Sequence, residues 1–204
     1  TVTIQLSNRV GQVKPSATIA MSMKAAELRA QGRDVISLSM GEPDFDTPEH
    51  IREAAIAAIN NGKTRYTAVD GTPELKQAIV EKLARDNNLE YGLNQVLVSN
   101  GAKQSIYNLL QATINSEDEV LIPAPYWVSY PDMVRLADGE PVVLETSPET
   151  DYLITPDQLA EAITPATRML MINSPSNPTG QAYTRDQLAA IGAVLLDHPE
   201  IMIC

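Results

Sequence analysis

Cysteine and histidine are almost absent from this sequence. Its 204 residues contain one cysteine, Cys204, and two histidines, His50 and His198, which lie far apart along the chain. A single cysteine excludes a framework of intrachain disulfides and is typical of proteins from the reducing cytoplasm. The scattered positions form no His/Cys cluster, so we expect no bound metal.

Long apolar runs and an excess of basic charge are also missing. No stretch approaches the ~20 apolar residues that a membrane-spanning helix requires. The 15 basic and 26 acidic side chains give a formal net charge of −11. This charge disfavours a surface that binds nucleic acid or an anionic membrane. Neither nucleic acid nor a membrane is therefore an expected partner.

Apolar and amphipathic segments alternate over the second half of the chain. They are a strand at 95–99, a helix at 102–114, a strand at 119–124, a helix at 127–137, a strand at 141–146, a helix at 156–163, a strand at 168–173 and a helix at 184–197. Strands that are apolar throughout, alternating with amphipathic helices, are typical of a parallel sheet covered on both faces. The predicted fold class is therefore α/β, with a mostly parallel sheet.

The first half of the chain predicts mainly helices. The segments are a helix at 17–32, a strand at 34–40 and helices at 47–62 and 72–88. Thr47 and Thr72 each precede a proline at the start of a helix, the usual order of N-cap and first helical residue.

Three of the predicted strands end in segments with unusual residues. Gly101 precedes the helix after the first strand, Trp127 is the only tryptophan, and Asn177 lies in the proline-rich segment NSPSNPTG. Ligands of open α/β sheets bind beyond the carboxyl ends of the strands, and a helix N-terminus attracts phosphate. Each segment alone is equally compatible with an ordinary turn or, for Trp127, with core packing. Together, on neighbouring strands, they predict one ligand-binding crevice.

Four segments resemble class I aminotransferases of fold type I, which depend on pyridoxal 5'-phosphate (PLP). They are SMGEPDFDTPEHI (39–51), SNGAKQ (99–104), APYWVSYPDM (124–133) and NSPSNPTG (173–180). The resemblance is closest to the bacterial aspartate and aspartate/prephenate subgroup, and it covers essentially the whole chain in order. It implies an N-terminal arm and part of a small domain at 1–45, and an incomplete PLP-binding large domain at 46–204.

The resemblance also implies a cofactor site and a substrate site. The implied cofactor-binding residues are Gly101, Ala102 and Lys103 at the phosphate, Trp127 on the pyridine ring, Asn177 at the phenolic oxygen, and Tyr66 at the phosphate of the other subunit of a homodimer. The bond before Pro178 is expected to be cis. The implied substrate-binding residues are Gly41, Trp127, Asn177 and Lys14, the last of which matches a position linked to dicarboxylic substrates.

The implied activity is transfer of an amino group between a dicarboxylic amino acid such as aspartate and a 2-oxo acid, either 2-oxoglutarate or prephenate. The Schiff-base lysine of the family lies beyond the position of Cys204, and none of the lysines present, at 14, 24, 63, 76, 82 and 103, has a matching context. The apolar residues just before Cys204 also suggest a strand that is cut short. We therefore expect an N-terminal fragment that is inactive alone, and we assign no catalytic residue within it.

Two other functions remain open. The same fold also carries PLP-dependent β-lyases and synthases, although GEPDFDTP and YWVSYPDM favour the transferase. A noncatalytic module that senses the cofactor is the other alternative. Transcription regulators of that kind require a basic helix-turn-helix segment ahead of the domain, and residues 1–16 are too short and insufficiently basic for one.

Overall fold

A computed structural model describes residues 4–13 and 15–204 of the chain. The helices are α1 Asn8–Gln12, α2 Ala17–Ala30, α3 Glu49–Asn60, α4 Pro73–Asn87, α5 Ala102–Thr113, α6 Ser129–Leu136, α7 Pro156–Ala162 and α8 Arg185–Leu196. The strands are β1 Glu119–Pro123, β2 Glu140–Leu144, β3 Thr167–Leu170 and β4 Met202–Ile203, and single 3₁₀ turns cover Leu93–Gln95 and Pro148–Thr150. No helix in this described part of the chain is both long and apolar enough to cross a bilayer.

The chain divides into two compact units. The sheet unit comprises Ile106–Cys204 together with the N-terminal segment up to Ala20, and the helical unit comprises Met21–Ser105. The two domains predicted at 1–45 and 46–204 stay a prediction about the complete enzyme.

The sheet unit contains a parallel sheet with the strand order β2-β1-β3-β4. Leu121 of β1 lies opposite Val142 of β2 and Leu170 of β3, and Leu170 lies opposite Ile203 of β4. The predicted α/β class with a mostly parallel sheet is therefore confirmed.

The core of the sheet unit forms two clusters, because successive side chains of a strand point to opposite faces. One cluster joins Val120, Ile122 and Met169 to Leu110 of α5 and to Met133 and Val134 of α6. The other joins Leu121 and Leu170 to Leu159 of α7 and to Ile191 and Leu195 of α8. Helices thus cover both faces, as the continuous apolar strands predict.

Threonine hydroxyls determine where three of the helices begin. Thr72, Thr155 and Thr184 each accept a hydrogen bond from the N–H three residues on, at the starts of α4, α7 and α8. The expected cap at Thr47 is wrong: α3 begins one residue later, with Pro48 at the N-cap and no side-chain hydrogen bond. Proline has no side-chain acceptor, so backbone geometry alone starts this helix.

The strands predicted at 34–40 and 95–99 are wrong for the described chain, since neither segment is assigned to a strand. A strand requires a neighbour that pairs with its N–H and C=O groups, and the sheet above includes neither segment. Val96 nevertheless has extended angles, φ −116° and ψ 126°. The Val98 N–H donates to the carbonyl of Asp70 at 3.1 Å, which joins this extended segment to the loop before α4.

Candidate functional site

A narrow crevice lies at the carboxyl ends of β1 and β3 in the sheet unit. Its lining includes the polar residues Tyr126, Tyr130, Asn173, Asn177 and Tyr183 and apolar residues such as Ile122 and Met171. We call it the sheet crevice. Parallel sheets bind ligands at this end of their strands. Of the residues predicted to meet in one crevice, Asn177 is among those that line this one.

Trp127 lies beside the sheet crevice and contacts one of its lining residues. The rings of Trp127 and Tyr130 meet edge to face, with 5.5 Å between centroids and 89° between planes. The Tyr130 N–H also donates to the Trp127 carbonyl at 3.0 Å, where α6 begins. Burial and the nearby Cys204 raise the pKa of the Tyr130 hydroxyl, which keeps it neutral. The half-buried indole is therefore fixed by a neighbour one helical turn away.

Asn177 stands at the mouth of the crevice, in a loop with closely spaced internal hydrogen bonds. Its N–H donates to the side-chain oxygen of Asn173 at 2.8 Å. The Gly180 N–H donates to the Ser176 carbonyl, also at 2.8 Å. The Asn177–Pro178 bond is cis, which confirms the expectation from the sequence, and Ser174–Pro175 is cis as well. The exposed Asn177 side chain is thus held by an ordered backbone at the edge of the sheet.

Tyr183 connects this loop to the segment before α7. Its N–H donates to the Ser174 hydroxyl at 3.1 Å, and its hydroxyl oxygen accepts a hydrogen bond from the Ile154 N–H at 3.1 Å. Burial raises the pKa of this hydroxyl, while the bond from Ile154 acts in the opposite direction. The phenol therefore stays neutral and fixes one wall of the crevice.

The helical unit contains the predicted phosphate-binding turn. Gly101 has φ +84°, a conformation that L side chains rarely adopt, and the space where its Cβ would stand is open. Its N–H donates to the Ser99 carbonyl at 2.9 Å, and its own carbonyl accepts from Gln104 and Ser105 as α5 begins. Ala102 and Lys103 follow as exposed residues of the first turn.

This turn fits a phosphate group on two observations. The first-turn N–H groups of a helix point at an anion and carry the positive end of its dipole. The Ser99 hydroxyl oxygen is buried and has no hydrogen-bond partner among the residues described. Because a buried hydroxyl without a partner costs free energy, a donor or acceptor on a bound ligand would satisfy it.

Tyr66, Gly41 and Lys14 are the remaining predicted residues. Tyr66 is a fully exposed and Gly41 an exposed residue of the helical unit. Lys14 lies outside the described residues. The roles predicted for these three residues stay predictions.

Sequence reasoning missed several residues of this region. Tyr130 and Asn173 both lie inside quoted motifs, and the i, i+3 spacing of Trp127 and Tyr130 on a predicted helix was a signal for their contact. Ser99 likewise lies inside the quoted motif SNGAKQ. Tyr183 had no comparable signal, because its partner Ile154 is 29 residues away.

Comparison with known proteins identifies the family. Residues 33–204 match the family model for aminotransferase class I and II, so the chain belongs to that family, as the four motifs predict. It is 56% identical to the aspartate/prephenate aminotransferase of Nitrosomonas europaea, over 98% of this chain and 50% of the relative. It is 50% identical to the aspartate aminotransferase of Bacillus subtilis, over 98% of this chain and 51% of the relative.

Solved structures agree with the family. The aspartate aminotransferase of Rhizobium meliloti superposes with a TM-score of 0.95 and 44% identity, over 98% of this chain and 50% of that one. The aspartate aminotransferase of Thermus thermophilus, solved with maleate, gives a TM-score of 0.93 and 46% identity, over 98% and 52%. The chain spans about half the length of the relatives it matches, their N-terminal half.

Proposed function

We propose that the complete protein, the enzyme of which this chain forms part, is a PLP-dependent aminotransferase. It transfers an amino group between a dicarboxylic amino acid such as aspartate and a 2-oxo acid. The observation that carries the proposal is the identity of 50–59% over at least 97% of the chain to relatives named as aspartate or aspartate/prephenate aminotransferases. Maleate, named with the Thermus thermophilus structure, is a dicarboxylate and supports the same substrate class.

The described residues would hold the cofactor at two places. Gly101, Ala102 and Lys103 would lie along its phosphate, with backbone N–H groups at the start of α5 as donors. The face of Trp127, oriented by Tyr130, would stack on its pyridine ring, and the Asn177 amide would donate to its phenolic oxygen. PLP, when bound, supplies an electron sink that makes the α-proton of an amino acid acidic.

Substrate recognition and assembly belong to the same proposal. Gly41 and Asn177 would contact the substrate, and Lys14 would bind its distal carboxylate. The fully exposed ring of Tyr66 suits a contact with the phosphate site of a second subunit in a homodimer. We assign no catalytic residue within this chain and expect its 204 residues alone to be inactive. A cytoplasmic location, based on the single cysteine, completes the proposal.

The test is a product assay on the complete protein with PLP, aspartate and 2-oxoglutarate. We expect oxaloacetate and glutamate in equal amounts and parallel lines in double-reciprocal plots, the pattern of a ping-pong reaction. Release of pyruvate, ammonia and chloride from β-chloroalanine, with no product from aspartate, would support a β-lyase instead, and binding of PLP without turnover would support a sensor. Replacing 2-oxoglutarate by prephenate then tests the second acceptor, because aspartate is consumed only if prephenate accepts the amino group.

A further inference from the structure

Lys76 is a buried lysine whose role none of the predicted sites explains. It lies on α4 with 9% of its side chain exposed, and its ammonium group donates to the carboxylate of Asp70. Burying an ammonium group costs free energy unless the group is paired. The ion pair therefore holds the Asp70 carboxylate and the Lys76 ammonium together. Asp70 lies in the loop that precedes α4, and its side chain is 47% exposed.

The backbone of Asp70 and Gly71 in turn supports the segment that leads to the phosphate-binding turn. The Asp70 carbonyl accepts the hydrogen bond from the Val98 N–H at 3.1 Å. A Cβ on Gly71, whose φ is +108°, would lie 2.6 Å from the Val98 Cγ2 atom. Glycine is favoured here because any side chain would clash with Val98 and because L side chains rarely adopt this φ.

Val98 is followed immediately by Ser99, whose buried hydroxyl has no hydrogen-bond partner within residues 4–13 and 15–204. The Ser99 carbonyl accepts the Gly101 N–H, the bond that forms the turn before α5. Within the described chain the 96–99 segment is not part of the sheet, and the Asp70 and Gly71 contacts join it to the loop before α4. A continuous series of contacts thus runs from the Lys76 ammonium to the Ser99–Gly101 turn.

We propose that Lys76 and Asp70 are positioning residues for the anion-binding turn at Ser99–Lys103. Their ion pair fixes the Asp70 backbone, and the Asp70 backbone fixes the position of the turn that takes a phosphate monoester. Neither side chain contacts the ligand. This inference rests on the proposed function only in naming the phosphate as that of PLP.

The experiment compares two ligands on the apo form of the complete protein. PLP and pyridoxal differ by the phosphate, so the ratio of their dissociation constants isolates the contribution of the phosphate-binding turn. Lys76→Met removes the ion pair with little change in side-chain length. Lys82→Met, at an exposed lysine on the same helix, is the matched control. Asp70→Asn serves as a second variant that keeps the loop side chain but weakens the pair.

We expect Lys76→Met to weaken PLP binding about 10-fold and pyridoxal binding less than about 2-fold. Asp70→Asn should shift the ratio in the same direction, and Lys82→Met should leave it unchanged. If Lys76→Met does not fold, the ratio of the PLP and pyridoxal dissociation constants in Asp70→Asn alone tests the positioning role. An unchanged ratio, whether both ligands keep their affinity or lose it equally, would overturn the positioning role while leaving the proposed function intact. Failure of the unmodified protein to bind PLP would instead contradict the proposed function and this inference together.

Discussion

Trp127 and Tyr130 form an edge-to-face pair, with ring centroids 5.5 Å apart and planes at 89°. The pair lies where α6 begins, and a backbone hydrogen bond between the same two residues adds a second restraint. Such aromatic pairs contribute about 0.5–1.5 kcal/mol beyond the area they bury. The indole therefore has a defined orientation at the edge of the sheet crevice before any ligand binds.

Tyr130→Leu should loosen the Trp127 indole and weaken cofactor binding. Loss of an aromatic pair worth about 0.5–1.5 kcal/mol corresponds to about 2- to 10-fold in the dissociation constant of PLP. Trp127 is the only tryptophan of the chain. Its fluorescence anisotropy therefore reports the mobility of this indole once any tryptophans in the remainder of the complete protein have been replaced. Tyr130→Phe keeps the ring and is the control. Equal anisotropy and equal affinity in the leucine and phenylalanine variants would show that the pair has no orienting role.

Asn173→Ala should disturb the loop that carries Asn177. The variant removes the acceptor of the Asn177 N–H, a loss of about 0.5–1.5 kcal/mol in the free energy of unfolding. We also expect weaker PLP binding, because the Asn177 side chain loses its fixed backbone. Urea unfolding and PLP titration of the complete protein measure both effects. Asn108→Ala, at an exposed position on α5, should change neither quantity, and an Asn173→Ala variant with the affinity of that control would disprove the role.

Gly71→Ala and Gly139→Ala introduce similar clashes at different places. The new Cβ would lie 2.6 Å from Val98 Cγ2 in the first variant and 2.5 Å from Ile114 Cγ2 in the second. Both should lower the free energy of unfolding, by about 1–3 kcal/mol for overpacking. Only Gly71→Ala should also weaken PLP binding relative to pyridoxal, since Gly139 precedes β2 at the opposite end of the sheet from the crevice. A similar ratio in both variants would mean that the clash acts on stability alone.

The ion pair of Asp70 predicts a specific response to acid. The hydrogen bond from Lys76, and then one from the backbone, lower the pKa of the Asp70 carboxyl below its usual value of 3.8. A carboxyl with a lowered folded-state pKa stabilises the fold fully above its unfolded-state pKa and loses that contribution as pH falls through the folded-state value. The stability difference between the unmodified protein and Asp70→Asn should therefore be constant from about pH 7 to about pH 5 and shrink below about pH 4. Urea unfolding across this range checks the prediction, and a difference that grows on acidification would refute it.

Local signals were sufficient for most elements of the sheet unit. The strand predicted at 119–124 is β1 at Glu119–Pro123, and the helix predicted at 184–197 is α8 at Arg185–Leu196. Continuous apolar residues and threonine caps determine these elements within a few residues of chain. The segment at 95–99 has an equally apolar composition but is not a strand, because strand formation depends on a distant partner that no local pattern reveals.

The same difference between local and distant signals applies to the residues of the candidate site. Gly101, Trp127 and Asn177 were singled out because each lies in a short motif beyond the end of a predicted strand, and their roles stay predictions. The Asp70–Lys76 pair was not, since it spans a loop and a helix start with a separation of six residues, outside the helical periods of three and four. Such contacts depend on how the loop folds back on the helix.

The central claim is tested most directly by following the amino nitrogen itself. The complete protein is incubated with PLP, 2-oxoglutarate and aspartate that carries an isotopic label in its amino group, and the products are analysed by mass spectrometry. The proposal predicts that the label appears in glutamate in an amount equal to the oxaloacetate formed. Label released as ammonia, or label that remains in aspartate while PLP is bound, would contradict it.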